Sequence, residues 1–84
     1  MMLIQKGEFK MFNYYLFGEK VVNPYVGEYE TFGIAVLDEN GNELLKVSDV
    51  SVKENDVRLI VDLCNKEQLE PIHLYDVIED VLYS

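Results

Sequence analysis

The sequence predicts an α+β fold, a three-stranded antiparallel sheet in the order β-β-β-α-α with two helices packed on one face. Three observations carry this. Aromatic and β-branched residues crowd the first half of the chain, a composition that suits pleated, half-buried strands. Asn40-Gly41 stands between two such runs and is the strongest short-range hairpin signal present. Beyond Ser51 the spacing of apolar residues changes from two to about 3.6, the period of a helix. Laying both helices on one sheet face buries two apolar stripes and one strand face together. At 84 residues, 49% of them hydrophobic, the chain has the apolar content of a folded domain rather than of a disordered segment. Residues 1–84 read as a single domain.

The first strand is expected from Glu8 to about Val21, over the aromatic run that ends at Phe17. Asn23-Pro24 then breaks it, because proline fixes its own φ and pushes the preceding residue toward an extended conformation. Val22 to Gly27 is the expected loop. Glu28 to Asp38 and Glu43 to Val50 read as the second and third strands around Asn40-Gly41. A two-residue turn at that dipeptide sets Val36 opposite Leu45, Ile34 opposite Val47 and Phe32 opposite Asp49, with Leu37 against Leu44, Ala35 against Lys46 and Gly33 against Ser48. The core face of the hairpin is then Phe32, Ile34, Val36, Leu45 and Val47. In the first strand both faces are apolar: Phe12, Tyr14 and Leu16 on one, Phe9, Met11, Tyr15 and Phe17 on the other. One set faces the helices, and the other looks outward beside Tyr29, Leu37 and Leu44.

Ser51-Val-Lys-Glu54 fits a capping box at the start of the first helix. Val57, Ile60, Val61 and Cys64 follow at i, i+3, i+4 and i+7 and form its buried stripe, widened by Leu59 and Leu63. The helix is expected to end near Asn65 or Lys66, since Asn tolerates a left-handed terminating position. Pro71 suits the first turn of the second helix. Leu74, Val77, Ile78, Val81 and Leu82 carry the second apolar stripe nearly to the end of the chain.

Sixteen acidic against seven basic residues give a net charge of −9. Residues 1–27 hold three lysines and two glutamates, net +1, so residues 28–84 hold −10. Without a basic cluster, nucleic acid is not an expected ligand, because phosphate binding rests on a Lys/Arg footprint. Anionic membrane surfaces are disfavoured by the same sign, and no apolar run approaches the roughly 20 residues of a membrane span. A lone cysteine, Cys64, cannot close an intramolecular disulfide, and the first residues lack the apolar run of a signal peptide. Both point to the cytoplasm.

Candidate catalytic chemistry is thin. His73, Asp76 and Asp80 fall at i, i+3 and i+7 of the second helix and share a face, but three mixed ligands on one helix need a fourth group. A solvated acidic face is the preferred reading of that weak acidic/His site. Cys64 and His73 are the one available nucleophile and base pair, yet Cys64 lies on an apolar stripe where a thiol stays inert. No phosphate-binding glycine loop, nucleophile elbow or second histidine is present. The expectation is a non-enzyme without a cofactor or small-molecule substrate.

The expected role is a small acidic interaction module. It would associate with a protein partner or with itself, as a homodimer, through the outward sheet face of Tyr15, Phe17, Tyr29, Leu37 and Leu44. A segment Met1 to Lys6 folded across that face is the competing arrangement. The alternative function is an acidic mimic of nucleic acid that inhibits a DNA- or RNA-binding protein, since the −10 of residues 28–84 can imitate a phosphate backbone.

At Asn23-Pro24-Tyr25, Gly27-Glu28-Tyr29 and Phe32-Gly33-Ile34, and again at Pro71-Ile72-His73-Leu74 with Asp76-Val77 and Glu79-Asp80, the chain resembles a small family of uncharacterised bacterial proteins, chiefly from Firmicutes. The resemblance covers most of the chain and implies a cytoplasmic bacterial origin, with no activity, ligand or partner attached. The chain departs from the family pattern at Glu70, which stands where the pattern has the better capping residue Ser.

Overall fold

The computed structural model describes residues 11–83. Its elements are β1 (Asn13–Asn23), β2 (Gly27–Leu37), β3 (Glu43–Ser51), α1 (Glu54–Glu67), a 3-10 turn (Pro71–His73) and α2 (Leu74–Tyr83). The strands form one antiparallel sheet in the order β1-β2-β3. This is the expected α+β architecture. Glu8 to Lys10, the start of the first strand that the sequence predicts, lie outside the described residues, as does the Met1 to Lys6 segment.

The β1–β2 hairpin pairs without interruption from Asn13 opposite Leu37 to Asn23 opposite Gly27. Its loop is therefore shorter than the expected Val22 to Gly27. The Asn23 carboxamide oxygen accepts the N–H groups of Tyr25 at 2.7 Å and Val26 at 3.1 Å, so the turn closes beyond Asn23 and leaves Val22 paired.

In the β2–β3 hairpin the turn differs from the two-residue expectation. Asp38 N–H donates to Asn42 O at 2.9 Å and Gly41 N–H to Asp38 O at 3.0 Å, enclosing a three-residue loop of Glu39, Asn40 and Gly41. Only Gly41 takes the left-handed conformation, at φ 84°. The Asp38 carboxylate accepts the N–H groups of Asn40 and Asn42, each at 2.9 Å, and so starts the reversal one residue earlier than a turn centred on Asn40-Gly41. The register then steps once more, between Leu37 opposite Glu43 and Val36 opposite Leu45, leaving Leu44 in a bulge. The two offsets cancel. Val36–Leu45, Ala35–Lys46 and Ile34–Val47 pair as the sequence predicts.

A second bulge changes the far end. Phe32 pairs with Ser51 rather than Asp49, and Asp49 sits at φ 53°. The expected position would have faced a carboxylate into the helix side of the sheet, where an unpaired charge is costly. The bulge instead turns it toward hydroxyl donors on the opposite face.

The core lies between the sheet and the helices. Tyr14, Ile34 and Val36 meet Val57, Ile60, Val61 and Cys64 of α1, with Leu74 and Ile78 from α2. Phe12, Leu16, Phe32, Leu45 and Val47 pack around them, so the Phe12, Tyr14 and Leu16 side of β1 is the one that faces the helices. Leu59 and Leu63 do not widen the α1 stripe; both are exposed. At 3.6 residues per turn they stand more than about 100° from the centre of the buried stripe.

The capping box does not form. Ser51 is still in β3, paired with Phe32. Lys53 occupies the N-cap without a side-chain bond, and the Ser51 hydroxyl accepts the Lys53 N–H at 3.0 Å instead. At the other end α1 outruns expectation to Glu67, and Gln68 rather than Asn65 takes the left-handed position, at φ 50°. Gln68 N–H then bonds Asn65 O and Leu69 N–H bonds Cys64 O at 3.0 Å.

Two side chains of this helix end hold the sheet. Asn65 Oδ1 accepts Tyr14 N–H at 2.8 Å, and Asn65 Nδ2 donates to Tyr14 O at 2.9 Å. Gln68 repeats the pattern on Phe12, with both bonds at 2.9 Å. These carboxamides take the place of a fourth strand along part of the β1 edge. The Tyr14 hydroxyl completes the joint by donating to Leu69 O at 2.6 Å.

We expect Asn65→Ala to lower unfolding free energy by about 2 kcal/mol, because it leaves a part-buried N–H and C=O without partners. Both Gln68→Ala and Gln68→Gly lose the Phe12 bonds, but only Ala keeps a Cβ at positive φ. The Gly variant should be the more stable of the two by about 1 kcal/mol, read from urea midpoints.

Candidate interaction surface

On the sheet face turned away from the helices, Tyr15, Phe17, Tyr29 and Leu37 occupy the outward positions that strand alternation assigns them. Their surroundings differ. Tyr15 is 38% exposed, whereas Phe17, Tyr29 and Leu37 are half-buried. The Phe17 ring lies across Gly33, opposite it in the register: a Cβ at Gly33 would stand 2.5 Å from Phe17 Cζ and 2.5 Å from Val47 O. The Lys46 ammonium sits 4.9 Å from the centre of the Phe17 ring, a cation–π contact. Phe17 of β1 is thus pinned by Gly33 of β2 below it and by Lys46 reaching over from β3.

Tyr29 belongs to a polar network instead. Its hydroxyl donates to Asp49 Oδ2 at 2.9 Å, and buried Thr31 donates to Asp49 Oδ1 at 2.7 Å. The Asp49 N–H in turn donates to Glu19 Oε2 at 2.8 Å, tying three strands together. The hydrogen bond to Asp49 holds the Tyr29 phenol above its ordinary range. No local sequence signal marks Thr31 and Asp49 as partners, because the second bulge creates the pairing.

Leu44, the fifth residue expected on this face, is exposed at the first bulge and lines a different feature. A cavity of about 380 Å³ opens at the end of the sheet, walled by Phe12, Asp38, Glu39, Asn40, Leu44, Glu70, Pro71 and Ile72. A shallower groove shares Leu44, Pro71 and Ile72 and continues to Leu45 and Tyr75. Phe12, Leu44 and Ile72 are far apart in sequence, so only the folded chain brings them to one place.

His73 is exposed at the end of the 3-10 turn, which Pro71 opens with Glu70 as a cap that makes no side-chain bond. Asp76 and Asp80 are exposed on α2. Among the described residues no group of three or more His, Cys, Asp or Glu comes close enough together to hold a metal ion. Cys64 is 1% exposed, and burial pushes its thiol up to about 11, away from the thiolate a nucleophile needs. Burial, with smaller contributions from Cys64 and Glu70, pushes the Tyr14 phenol up to about 12. No helix among the described residues is long and apolar enough to cross a membrane.

The model of a family of unknown function (DUF6514) matches residues 3–84, spanning both hairpins and both helices. The chain belongs to that family. No curated protein and no solved structure matches it. The family relationship therefore covers the whole arrangement described above, and chemistry has to be argued from the side chains themselves.

Two measurements test this geometry. Gly33→Ala should cost about 2 kcal/mol of stability, since backbone Val47 O cannot yield as a flexible side chain would. Tyr14 and Cys64 are both held neutral by the fold. Their contribution is complete below the ordinary values of 9.0 for the thiol and 10.0 for the phenol, and is lost as pH rises through about 11 and about 12. Urea midpoints should be level from neutral pH to pH 9.0 and fall above it, with Cys64→Ala delaying the fall to the phenol's range.

Proposed function

We propose that this chain is a small non-enzymatic interaction module of the cytoplasm, of bacterial origin, that pairs with a second copy of itself through the outer face of its sheet. The observation that carries the reading is the one-sided packing: both helices serve a single sheet face, while Tyr15, Phe17 and Leu37 stand together on the other. An apolar and aromatic surface on a flat sheet suits association, and tyrosine is a favoured anchor because it adds area at little entropic cost. The pinned Phe17 ring strengthens the case. Its orientation is set by Gly33 and Lys46 before a partner arrives, so less order remains to be imposed on binding. The Glu19–Thr31–Asp49–Tyr29 network forms a polar border on the same face, the arrangement of an apolar centre with a polar rim.

The buried thiol of Cys64 supports the non-enzymatic part of the reading, because the chain's one cysteine is unsuited to nucleophilic work. Sedimentation velocity over a dilution series should reveal a dimer that dissociates as concentration falls. Tyr15→Ser, at an exposed position, should keep native circular dichroism and weaken the dimer about tenfold or more. A protein that is monomeric at every concentration, or a dimer indifferent to Tyr15→Ser, would rule the reading out.

A further inference from the structure

We propose that the cavity at the end of the sheet docks a basic segment of a partner protein and receives one lysine or arginine side chain. At about 380 Å³ it falls within the range of roughly 300–1,000 Å³ that ligand sites occupy. Its walls are of two kinds. Phe12, Leu44 and Ile72 present apolar surface, and Ile72 is 80% exposed. Asp38, Glu39 and Glu70 line the same space, and among the described residues no cationic side chain lines it with them.

A long cationic side chain matches both kinds of wall. Its methylenes lie on apolar surface while its charged head reaches a carboxylate. The three acids have separate parts. Asp38 is occupied by Asn40 and Asn42, whose hydrogen bonds hold its carboxyl below the ordinary carboxylate range, so it supplies a fixed negative charge. Glu39 and Glu70 are exposed, one on the hairpin loop and one before the 3-10 turn; Glu39 accepts the Met11 N–H at 3.4 Å through one oxygen, which leaves its other oxygen for an incoming head group.

Charge selects among occupants. A net charge of −9 draws a basic segment toward the groove and repels a second copy presenting its own acidic region. A bare metal ion fits poorly, because the carboxylates here do not converge into a ligand group. The shallower groove past Leu45 to Tyr75 gives the residues beside the cationic one an apolar track to follow.

The test uses the full chain and a fluorescein-labelled peptide, Leu-Lys-Ile-Arg-Leu, followed by fluorescence anisotropy, beside the same peptide with Glu in place of Lys and Arg. The basic peptide should bind and the acidic one should not, and binding should weaken as salt is raised. Glu39→Gln combined with Glu70→Gln should weaken it about tenfold or more, and so should Ile72→Ser. Glu28→Gln combined with Glu30→Gln removes as much charge from the far part of the β1–β2 hairpin and should leave affinity within about twofold. Amide shifts of Leu44 and Ile72 in the unmutated chain locate the peptide without relying on any variant. Absence of binding, equal loss from the two charge-removing pairs, or shifts confined elsewhere would each overturn the proposal. So would binding that emerges only after Lys6→Ser with Lys10→Ser, which would identify the chain's own residues as the occupant. Tyr15→Ser should bind the peptide unchanged, so this inference and the sheet-face reading can fail separately.

Discussion

The fold depends on how one edge of a small sheet is finished. A three-stranded sheet has two edges, and a bare edge offers its unpaired N–H and C=O groups to any passing strand. Here Asn65 and Gln68 close part of the β1 edge with two carboxamides, each bonding one residue's N–H and C=O. Because both come from the last turn and cap of α1, the same bonds set where the helix stops and how it lies on the sheet. Gln68 accepts a left-handed conformation at this point, and its two bonds to Phe12 offset the cost. Tyr14 sits at the centre, its backbone held by Asn65, its ring in the core and its hydroxyl on Leu69 O.

With α1 fastened along β1, α2 reaches the core through Leu74 and Ile78, and among the described residues no helix covers the opposite sheet face. That face divides by chemistry. Around Tyr15 and Phe17 it is apolar, and toward the ribbon end it becomes a hydroxyl and carboxylate network centred on Asp49. The bulge that makes the division also resolves what would have been a buried charge beside Phe32. A register defect in this position is thus a means of moving one carboxylate across the sheet.

The bulge at Leu44 works on the other end in a similar way. It restores the pairing that the three-residue loop displaces, and it places Leu44 beside Pro71 and Ile72 instead of among the outward aromatics. The acidic loop residues Asp38 and Glu39 then share a cavity with Glu70, joining two segments of like charge around an apolar floor. Like charges gathered at one mouth lower the cost of bringing in a cation and raise that of bringing in an anion.

Local chemistry in the sequence is sufficient for the elements, the buried stripes of both helices and the central hairpin pairs, because periodicity and turn residues act over a few positions, whereas the place of β1 beside β2 is decided by the fold. Even there the central register rests on two offsets that cancel, one in the loop and one at Leu44. The outward face of β1 was legible up to a choice between its two apolar sides. What lay beyond local reading were the ends and the joints: the absent capping box, the extension to Glu67, the left-handed Gln68, the Asp49 network and the cavity. Each depends on a partner from another element, such as Phe12 for Gln68, Thr31 for Asp49 and Phe12 for Glu70. The chain by itself determines which segments become strands and helices, since backbone propensity and apolar spacing are short-range properties. Only the assembled fold decides where polar side chains spend their hydrogen bonds, because those partners meet only after the chain has closed on itself.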